Sequence, residues 1–371
     1  MQFTVTATDG NARRGTIIFS RGEVETPAFM PVGTGGAVRT VAPEEVAESG
    51  ARVILGNTFH LMLRPGTQVI KAHGTLHDFM HWSGPILTDS GGFQVWSLAD
   101  SRNITEQGVT FRSPFDGSKV YLGPEESMSV QQDLGSDVVM VFDECTAYPT
   151  TYENAESSMN RSLRWARRCR DAHGGEDQAL FGIAQGGIYP ELRIRSLEAL
   201  EEIGFDGYAL GGLSVGEPTE QMHSVLEQIT PQMPGGSPRY LMGVGRPEDI
   251  LTGVRSGIDL FDCVLPTRNA RNGWLYTRDG IVRLKNSANR TDTNPIEEDC
   301  RCPACISYSR SYLRHLFTTS ESLGKRLCTL HNLWFFGALM EDIRGAVATG
   351  TLDSFSRAFL ESYLGGGADV A

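Results

Sequence analysis

The residues best equipped for chemistry in this 371-residue chain are carboxylates, and they stand where short apolar runs give out. Asp89 follows Ile86-Leu87-Thr88, Asp143 follows the run from Val138 to Phe142, and Asp262 follows Leu260-Phe261. A carboxylate at the end of a buried strand is a costly placement unless something uses it. Two of them on one face, Asp89 and Asp262, have the makings of glycosidic chemistry: one attacks an anomeric carbon, the other moves a proton. Asp143 and Gln185 can bond the edge of a heterocycle, the acid accepting from amino and imino groups. Around them the sequence repeats bare backbone, at Ser90-Gly91-Gly92, Gly186-Gly187 and Gly211-Gly212, where a ligand could approach closely. Phe93 adds a flat stacking face. The plainer alternatives are a turn before a core Phe, a satisfied core amide at Gln185 and a surface ion pair between Asp262 and Arg268. Three carboxylates among seven strand ends exceed what solvation of loop starts explains.

Beyond Asp262, Pro266 stops regular pairing because it has no N–H to donate. A polar loop is expected there, with Arg268 and Arg271 suited to phosphate. Further cations, Arg278, Arg283, Lys285 and Arg290, follow in sequence and resemble a phosphate-tracking surface. Arg161, Arg164 and Arg168 also share a helical face, and for them an ordinary solvated face is the better reading. Cys300, Cys302 and Cys305 stand at metal-ligand spacing. His331 or Cys328 would complete four protein ligands, which leaves no open position for catalysis and describes structural zinc.

The elements that must position these groups repeat an apolar strand and an amphipathic helix. Strand ends are read at Gly56-Asn57, Asp89, Asp143, Gln185, Gly211-Gly212, Met242-Gly243 and Asp262. Helices are expected over 157–172, 192–203, 219–229 and 247–256, with Thr219 capping the third and Pro247 opening the fourth. Seven strands plus one not placed predict an α/β fold, a (β/α)₈ barrel whose strand ends converge on one face. A doubly wound open sheet is the alternative, without a Gly-rich dinucleotide fingerprint to support it. Residues 1–35, including Ala28-Phe29-Met30, read as a β-hairpin cap. The expected division is a barrel region with its cap over 1–290, a zinc-binding subdomain over 291–364 and a disordered tail over 365–371.

Composition narrows the setting. The formal net charge of −12 argues against bulk attraction to nucleic acid but leaves local basic patches open. No stretch approaches the ~20 apolar residues of a membrane span. The start, Met1-Gln2-Phe3-Thr4, has no basic region followed by an apolar core, so a cytoplasmic protein is expected. Seven cysteines, an odd number, fit a reducing compartment.

Taken together, the stretches Asp89-Ser-Gly-Gly-Phe-Gln94, Phe142-Asp-Glu-Cys-Thr146, Phe181-Gly-Ile-Ala-Gln-Gly186, Gly211-Gly-Leu-Ser-Val-Gly-Glu217 and Phe261-Asp-Cys-Val-Leu-Pro-Thr-Arg-Asn-Ala-Arg-Asn-Gly273, with Cys300, Cys302, Cys305 and His331, resemble the tRNA-guanine transglycosylases. The resemblance runs from about the N-terminal hairpin to past His331. It implies a (β/α)₈ barrel with a C-terminal zinc subdomain, a homodimer, and exchange of the wobble guanine of GUN-anticodon tRNAs for a 7-deazaguanine. By position it makes Asp262 the nucleophile and Asp89 the proton acceptor. Ser90, Gly91, Gly92, Asp143, Gln185 and Gly212 would surround the base, with Phe93 and Met242 stacking on it. Gly243, Val244, Gly245, Arg246, Pro247, Glu248 and Asp249, and Thr267, Arg268, Asn269, Ala270 and Arg271, would meet the anticodon loop. His331 becomes the expected fourth ligand to zinc. Cys145 and Val215 resemble the bacterial pocket, which takes 7-aminomethyl-7-deazaguanine. The short stretch after His331 leaves no room for the archaeal type's extra RNA-binding domain. A barrel glycoside hydrolase with the same carboxylates and a non-catalytic RNA-binding zinc protein are the rivals. The first gives no reason for the arginine loop or the cysteine cluster.

Overall fold

The computed structural model describes residues 1–98, 102–175 and 177–365. Eight parallel strands close into a barrel in sequence order. They are β1 (Ala28–Gly33), β2 (Ile54–Gly56), β3 (Ile86–Thr88), β4 (Val138–Met140), β5 (Ala179–Ala184), β6 (Gly207–Leu210), β7 (Arg239–Leu241) and β8 (Leu260–Cys263). β8 pairs back onto β1 with Leu260 opposite Ala28. Every residue of these strands is buried, which is why they read as apolar runs rather than alternating ones. The barrel expectation holds, and the open-sheet alternative does not.

The strand left unplaced by the sequence is β1, and this corrects the reading of Ala28-Phe29-Met30 as cap. A cap strand would be wetted on one side; all six residues of β1 are buried. The cap itself is a three-stranded antiparallel sheet, Gln2–Asp9, Ala12–Phe19 and Gly22–Thr26. It lies over the N-terminal end of the barrel. Arg13 reaches from it to the carbonyls of Gly235 and Ser237 (2.7 and 3.0 Å) and pairs with the fully buried Asp259, just ahead of β8.

Helices follow the strands as expected, with two local differences. The helix after β4 is Tyr152–Ala172, starting five residues early because Thr151 caps it, accepting from the Asn154 N–H. Thr219 does not cap Thr219–Ile229; Pro218 precedes it and Thr219 is already helical. The others are Pro190–Ile203 and Pro247–Ser256, each opened by a proline whose missing N–H costs nothing there.

Between β3 and β4 the chain inserts a small antiparallel sheet, Arg102–Ile104, Val109–Arg112 and Lys119–Leu122, for which the sequence reading had no element. Arg164 and Arg168 of Tyr152–Ala172 grip it. Arg164 forks onto Glu106 (2.6 and 2.8 Å), and Arg168 bonds Glu125 and the carbonyls of Glu106 and Gln107. That arginine face is therefore a fastening, not a merely solvated surface.

After β8 come the short helix Leu265–Arg271, the hairpin Trp274–Thr277/Gly280–Arg283 and four further α-helices, Pro303–Ser307, Arg310–Thr318, Ser322–Thr349 and Leu352–Gly365. Leu275 and Leu284 share a core with Ile296, Cys302, Leu313 and Leu330, and that core also takes in Val46, Ile54 and Ile70 from the barrel side. The long helix Ser322–Thr349 contributes Leu330 and Leu333 to this core and Phe336, Leu339 and Ile343 to the barrel's. Among the described residues no helix is long and apolar enough to cross a membrane. The tail expected to be disordered falls, from residue 366 on, outside the described residues.

Candidate active site

The C-terminal ends of the strands converge on one mouth, and the three carboxylates come with them, all buried. Asp262 lies within β8. Its Oδ1 accepts from the Tyr240 hydroxyl (2.6 Å) and from the Gly243 N–H (2.8 Å). Tyr240 belongs to β7 next door, so the barrel register itself aims the phenol at the acid. Among the described residues no donor meets Oδ2. One oxygen is thus held and the other left to react. Burial raises the acid's pKa, opposed by these two hydrogen bonds. It also pushes the Tyr240 hydroxyl well above its ordinary value, with the adjacent Asp262 adding to it, so the phenol remains a donor.

Asp89, one residue past β3, is held on both oxygens. Oδ1 accepts from the Thr58 N–H (2.8 Å). Oδ2 accepts from the Gln94 amide (2.8 Å) and the Asn57 amide. Burial lifts its pKa to about 6, against those three bonds, and the charge of Asp262 adds a smaller push. A carboxyl poised there can take and give a proton near neutrality. Gln94 Oε1 is buried beside it, without a partner among the described residues.

Asp143 stands past β4. Its Oδ1 accepts from the Ser90 hydroxyl (3.2 Å) and its Oδ2 from the Gln185 amide (2.7 Å). Burial raises this acid too, to about 6. The glycines matter here for space. A Cβ at Gly92 would meet the Asp143 carbonyl oxygen at 2.6 Å, and one at Gly211 would meet the Gln185 amide nitrogen at 2.8 Å. Gly212 has φ +64° and lies against the same amide. Gly91, at φ +83°, makes the turn that brings Ser90 and Gly92 to Asp143.

Phe93 and Met242 lie nearer the surface. Phe93 is 47% exposed with its ring 5.5 Å from that of Trp96, and Met242 is half-buried at the end of β7. Cys145 is buried, its thiol pushed up to about 12 by burial, hence an inert wall rather than a nucleophile. The Val215 N–H bonds Glu217 at 2.9 Å.

The two segments expected to meet RNA differ residue by residue. Thr267, Arg268, Asn269, Ala270 and Arg271 are not in a loop: Leu265–Arg271 is a short helix. Proline ends strand pairing but fits a first helical turn, and here that second property decided. Arg268 is exposed, whereas Thr267 and Ala270 are buried, and Asn269 donates to the Tyr276 hydroxyl at 2.7 Å. Arg271 is half-buried with Nη1 unpartnered, and its pKa is lowered by burial and then by Arg39 and Arg268. Gly243 and Arg246 are exposed. Val244 is buried, and Gly245 lies against the Cys263 side chain. Pro247 opens the helix that carries Glu248 and Asp249. Glu248 has an unpartnered buried oxygen, and buried Asp249 pairs with His223 at 2.9 Å.

In the C-terminal region the Sγ atoms of Cys300, Cys302 and Cys305 stand 3.7, 3.6 and 3.3 Å from Nδ1 of His331. All four ligand atoms lie within 4.8 Å of one another, and Cys328 is not among them. Tetrahedral zinc with bonds of about 2.0–2.3 Å sets its ligand atoms roughly 3.5–3.8 Å apart, close to these separations. His331 Nε2 lies 2.7 Å from the Tyr276 carbonyl. A donor there leaves Nδ1 as the lone-pair nitrogen facing the thiols. The set could hold a metal ion.

Three site residues escaped the sequence reading: Asn57 and Gln94 on Asp89, and Tyr240 on Asp262. Asn57 was visible as the polar residue next to the end of Ile54–Gly56, and Gln94 as the last residue of the Asp89 stretch. Tyr240 had no signal, because a Tyr within an apolar run reads as core.

Comparison with known proteins agrees with this arrangement. A family model described as queuine tRNA-ribosyltransferase matches residues 8–365. The queuine tRNA-ribosyltransferase of Thioalkalivibrio sulfidiphilus is 62% identical over 359 residues, covering 97% of both chains. That of Marinobacter nauticus is 62% identical over 97% of this chain and 96% of its own. That of Idiomarina loihiensis is 60% identical over the same shares. With similarity of this extent, the chain belongs to the queuine tRNA-ribosyltransferase family and is a pentosyltransferase.

Proposed function

We propose that this enzyme exchanges the wobble-position guanine of GUN-anticodon tRNAs (Asp, Asn, His, Tyr) for 7-aminomethyl-7-deazaguanine, a step in queuosine biosynthesis, through a covalent ribosyl-aspartate. The observation that carries the reading is the one-sided bonding of Asp262, which leaves Oδ2 to act as nucleophile. Oδ2 attacks C1′ of the ribose as the bond to guanine N9 breaks. The departing guanine anion takes a proton from solvent, and the ribose stays on Asp262. The incoming base then gives its N9 proton to Asp89 and attacks C1′ from the face the guanine left, so configuration is retained. Asp143 accepts from the N1–H and amino group of the base, and Gly212 N–H donates to its carbonyl oxygen. Phe93 and Met242 stack on its faces. The incoming base reads as the 7-aminomethyl compound on the resemblance of Cys145 and Val215 to the bacterial pocket.

The exposed Arg268 and Arg246 with the half-buried Arg271 meet the anticodon loop, and the buried members of those segments support them. The Cys300, Cys302, Cys305 and His331 set holds one structural zinc. That ion, when bound, supplies folding energy and no open coordination site. A cytoplasmic homodimer is part of the same reading, on the family resemblance.

Labelled guanine exchange tests the proposal. Wild-type protein mixed with an anticodon stem-loop containing U-G-U should place label in RNA, and Asp262→Asn should place none while still binding it. Exchange by that variant at the normal rate would remove the nucleophile assignment. Release of guanine without incorporation would favour a hydrolase, and binding without either would favour a non-catalytic RNA-binding protein.

A further inference from the structure

Arg193, in Pro190–Ile203, is fully buried beneath the pocket and has no role in the account above. Its guanidinium fans out to three backbone carbonyls. Nε donates to Gly187 (2.7 Å), Nη1 to Ala184 (3.1 Å) and Nη2 to Gly211 (2.9 Å). Ala184 and Gly187 flank Gln185, and Gly211 precedes Gly212. Among the described residues no carboxylate pairs with it. A buried cation bonded only to carbonyls is a poor stabilising device, since its desolvation is offset only in part, by the charge of Glu217, which makes no hydrogen bond to it among the described residues.

We infer that Arg193 is a specificity-determining positioning residue: by holding the Gly211 carbonyl from below, it turns the Gly212 N–H up toward the base. The inference rests on the functional reading above. A trans peptide holds its C=O and N–H within one rigid plane, pointing in opposite directions. Anchoring the carbonyl of the Gly211–Gly212 peptide therefore fixes the direction of its N–H. This peptide needs an anchor. Glycine on both sides removes the Cβ contacts that resist a flip, and Gly212 already sits at φ +64°. Flipped, the peptide would offer a carbonyl to the base and select the opposite hydrogen-bonding pattern. The next turn is pinned separately, by Glu217 accepting from Ser214 and Val215, so Gly211–Gly212 is the joint left to Arg193. Glu217 also favours the charged form of Arg193, whose pKa burial lowers to about 10. A lysine cannot replace it, because one ammonium on a flexible stem does not match three carbonyls in a fan.

The test compares guanine with 2-aminopurine, which lacks the oxygen at position 6 and with it the N1–H, on wild-type enzyme and on Arg193→Lys and Arg193→Gln. Exchange into full-length tRNA gives the guanine and tRNA KM values, and competition gives the inhibition constant of 2-aminopurine. Loss of one donor to the base should raise the guanine KM about tenfold and leave 2-aminopurine nearly unchanged. The preference for guanine then shrinks by the same factor, with the N1–H contact to Asp143 left, while the tRNA KM stays within about twofold. A lowered melting temperature with the guanine preference intact would show that Arg193 only supports the fold, and would overturn the inference. If neither variant folds, amide hydrogen exchange on wild type decides. Guanine should slow exchange at Gly212 and 2-aminopurine should not; equal effects overturn the inference. Wild-type enzyme that exchanges no guanine would instead overturn the functional reading, and this inference with it.

Discussion

Burial raises Asp89, Asp143 and Asp262 above the usual aspartate range, and hydrogen bonds pull each back part of the way. This has opposite consequences for stability and for rate. An aspartate whose folded pKa is raised binds more protons folded than unfolded. Its stabilising contribution is complete below the unfolded value of 3.8 and falls as pH climbs to about 6 for Asp89 and Asp143. Exchange needs these groups ionised. The melting temperature should therefore decline between pH 4 and 6 while kcat/KM climbs along a limb with an apparent pKa near 6. Tyr240→Phe removes a donor that lowers the Asp262 pKa, so Asp262 should ionise at higher pH in that variant and any limb that it sets should move up with it. A limb unmoved by the substitution would mean that Asp262 is not the group titrating. A wild-type profile flat from pH 5 to 8 would dissociate these acids from the chemistry.

At the scale of elements, Leu265–Arg271 shows how position in the fold reassigns a sequence signal. Its arginines leave β8 in a helical turn, with only Val264 between strand and helix. Arg271 is crowded by Arg39 and Arg268, and among the described residues it meets no carboxylate. Clustered cations of this kind fit a phosphate. Arg161, Arg164 and Arg168 of Tyr152–Ala172 show the contrary case, since Glu106, Glu125 and Glu144 already occupy them. Arg271→Ala should weaken binding of an anticodon stem-loop and reduce the slope of log K against log salt by about 0.7–0.9. Arg164→Ala should leave that slope unchanged. Fluorescence titrations at several salt concentrations check both, and equal slopes for wild type and Arg271→Ala would make Arg271 structural.

For the whole molecule the long helix Ser322–Thr349 is the tie. It carries His331 to the three cysteines, and a turn or two later it carries Phe336 and Leu339 into the barrel core. Asn332 on the same helix holds the hairpin and the helix after β8, donating to the carbonyls of Pro266 and Trp274 and accepting from the Tyr276 N–H. Loss of a metal at His331 should thus loosen the fold rather than remove a chemical step. Chelation should lower the melting temperature by several degrees, and activity should fall in parallel with the folded fraction. Metal-free protein with native melting and no exchange would instead tie the ion to the reaction.

The sequence alone determined what is local or carried by composition. It held the apolar runs, the polar residues that end them, the glycines beside those ends and the cysteine spacing, because strand burial and metal geometry impose residue types within a few positions. That was enough for a barrel with Asp89, Asp143, Gln185 and Asp262 at one mouth. Tertiary structure alone decided which neighbour each group meets. Ala28–Gly33 became the closing strand because only the closed sheet buries both its faces. His331 rather than Cys328 joined the cysteines because the two, three apart and on one helix face, stand about 4.5 Å apart along the axis, and the cysteines lie at the level of His331. Tyr240, Asn57 and Arg193 became supports of the site through contacts between elements distant in sequence, which no local pattern encodes. Hydrogen-bond direction, and with it the free oxygen of Asp262, exists only once the strands stand side by side.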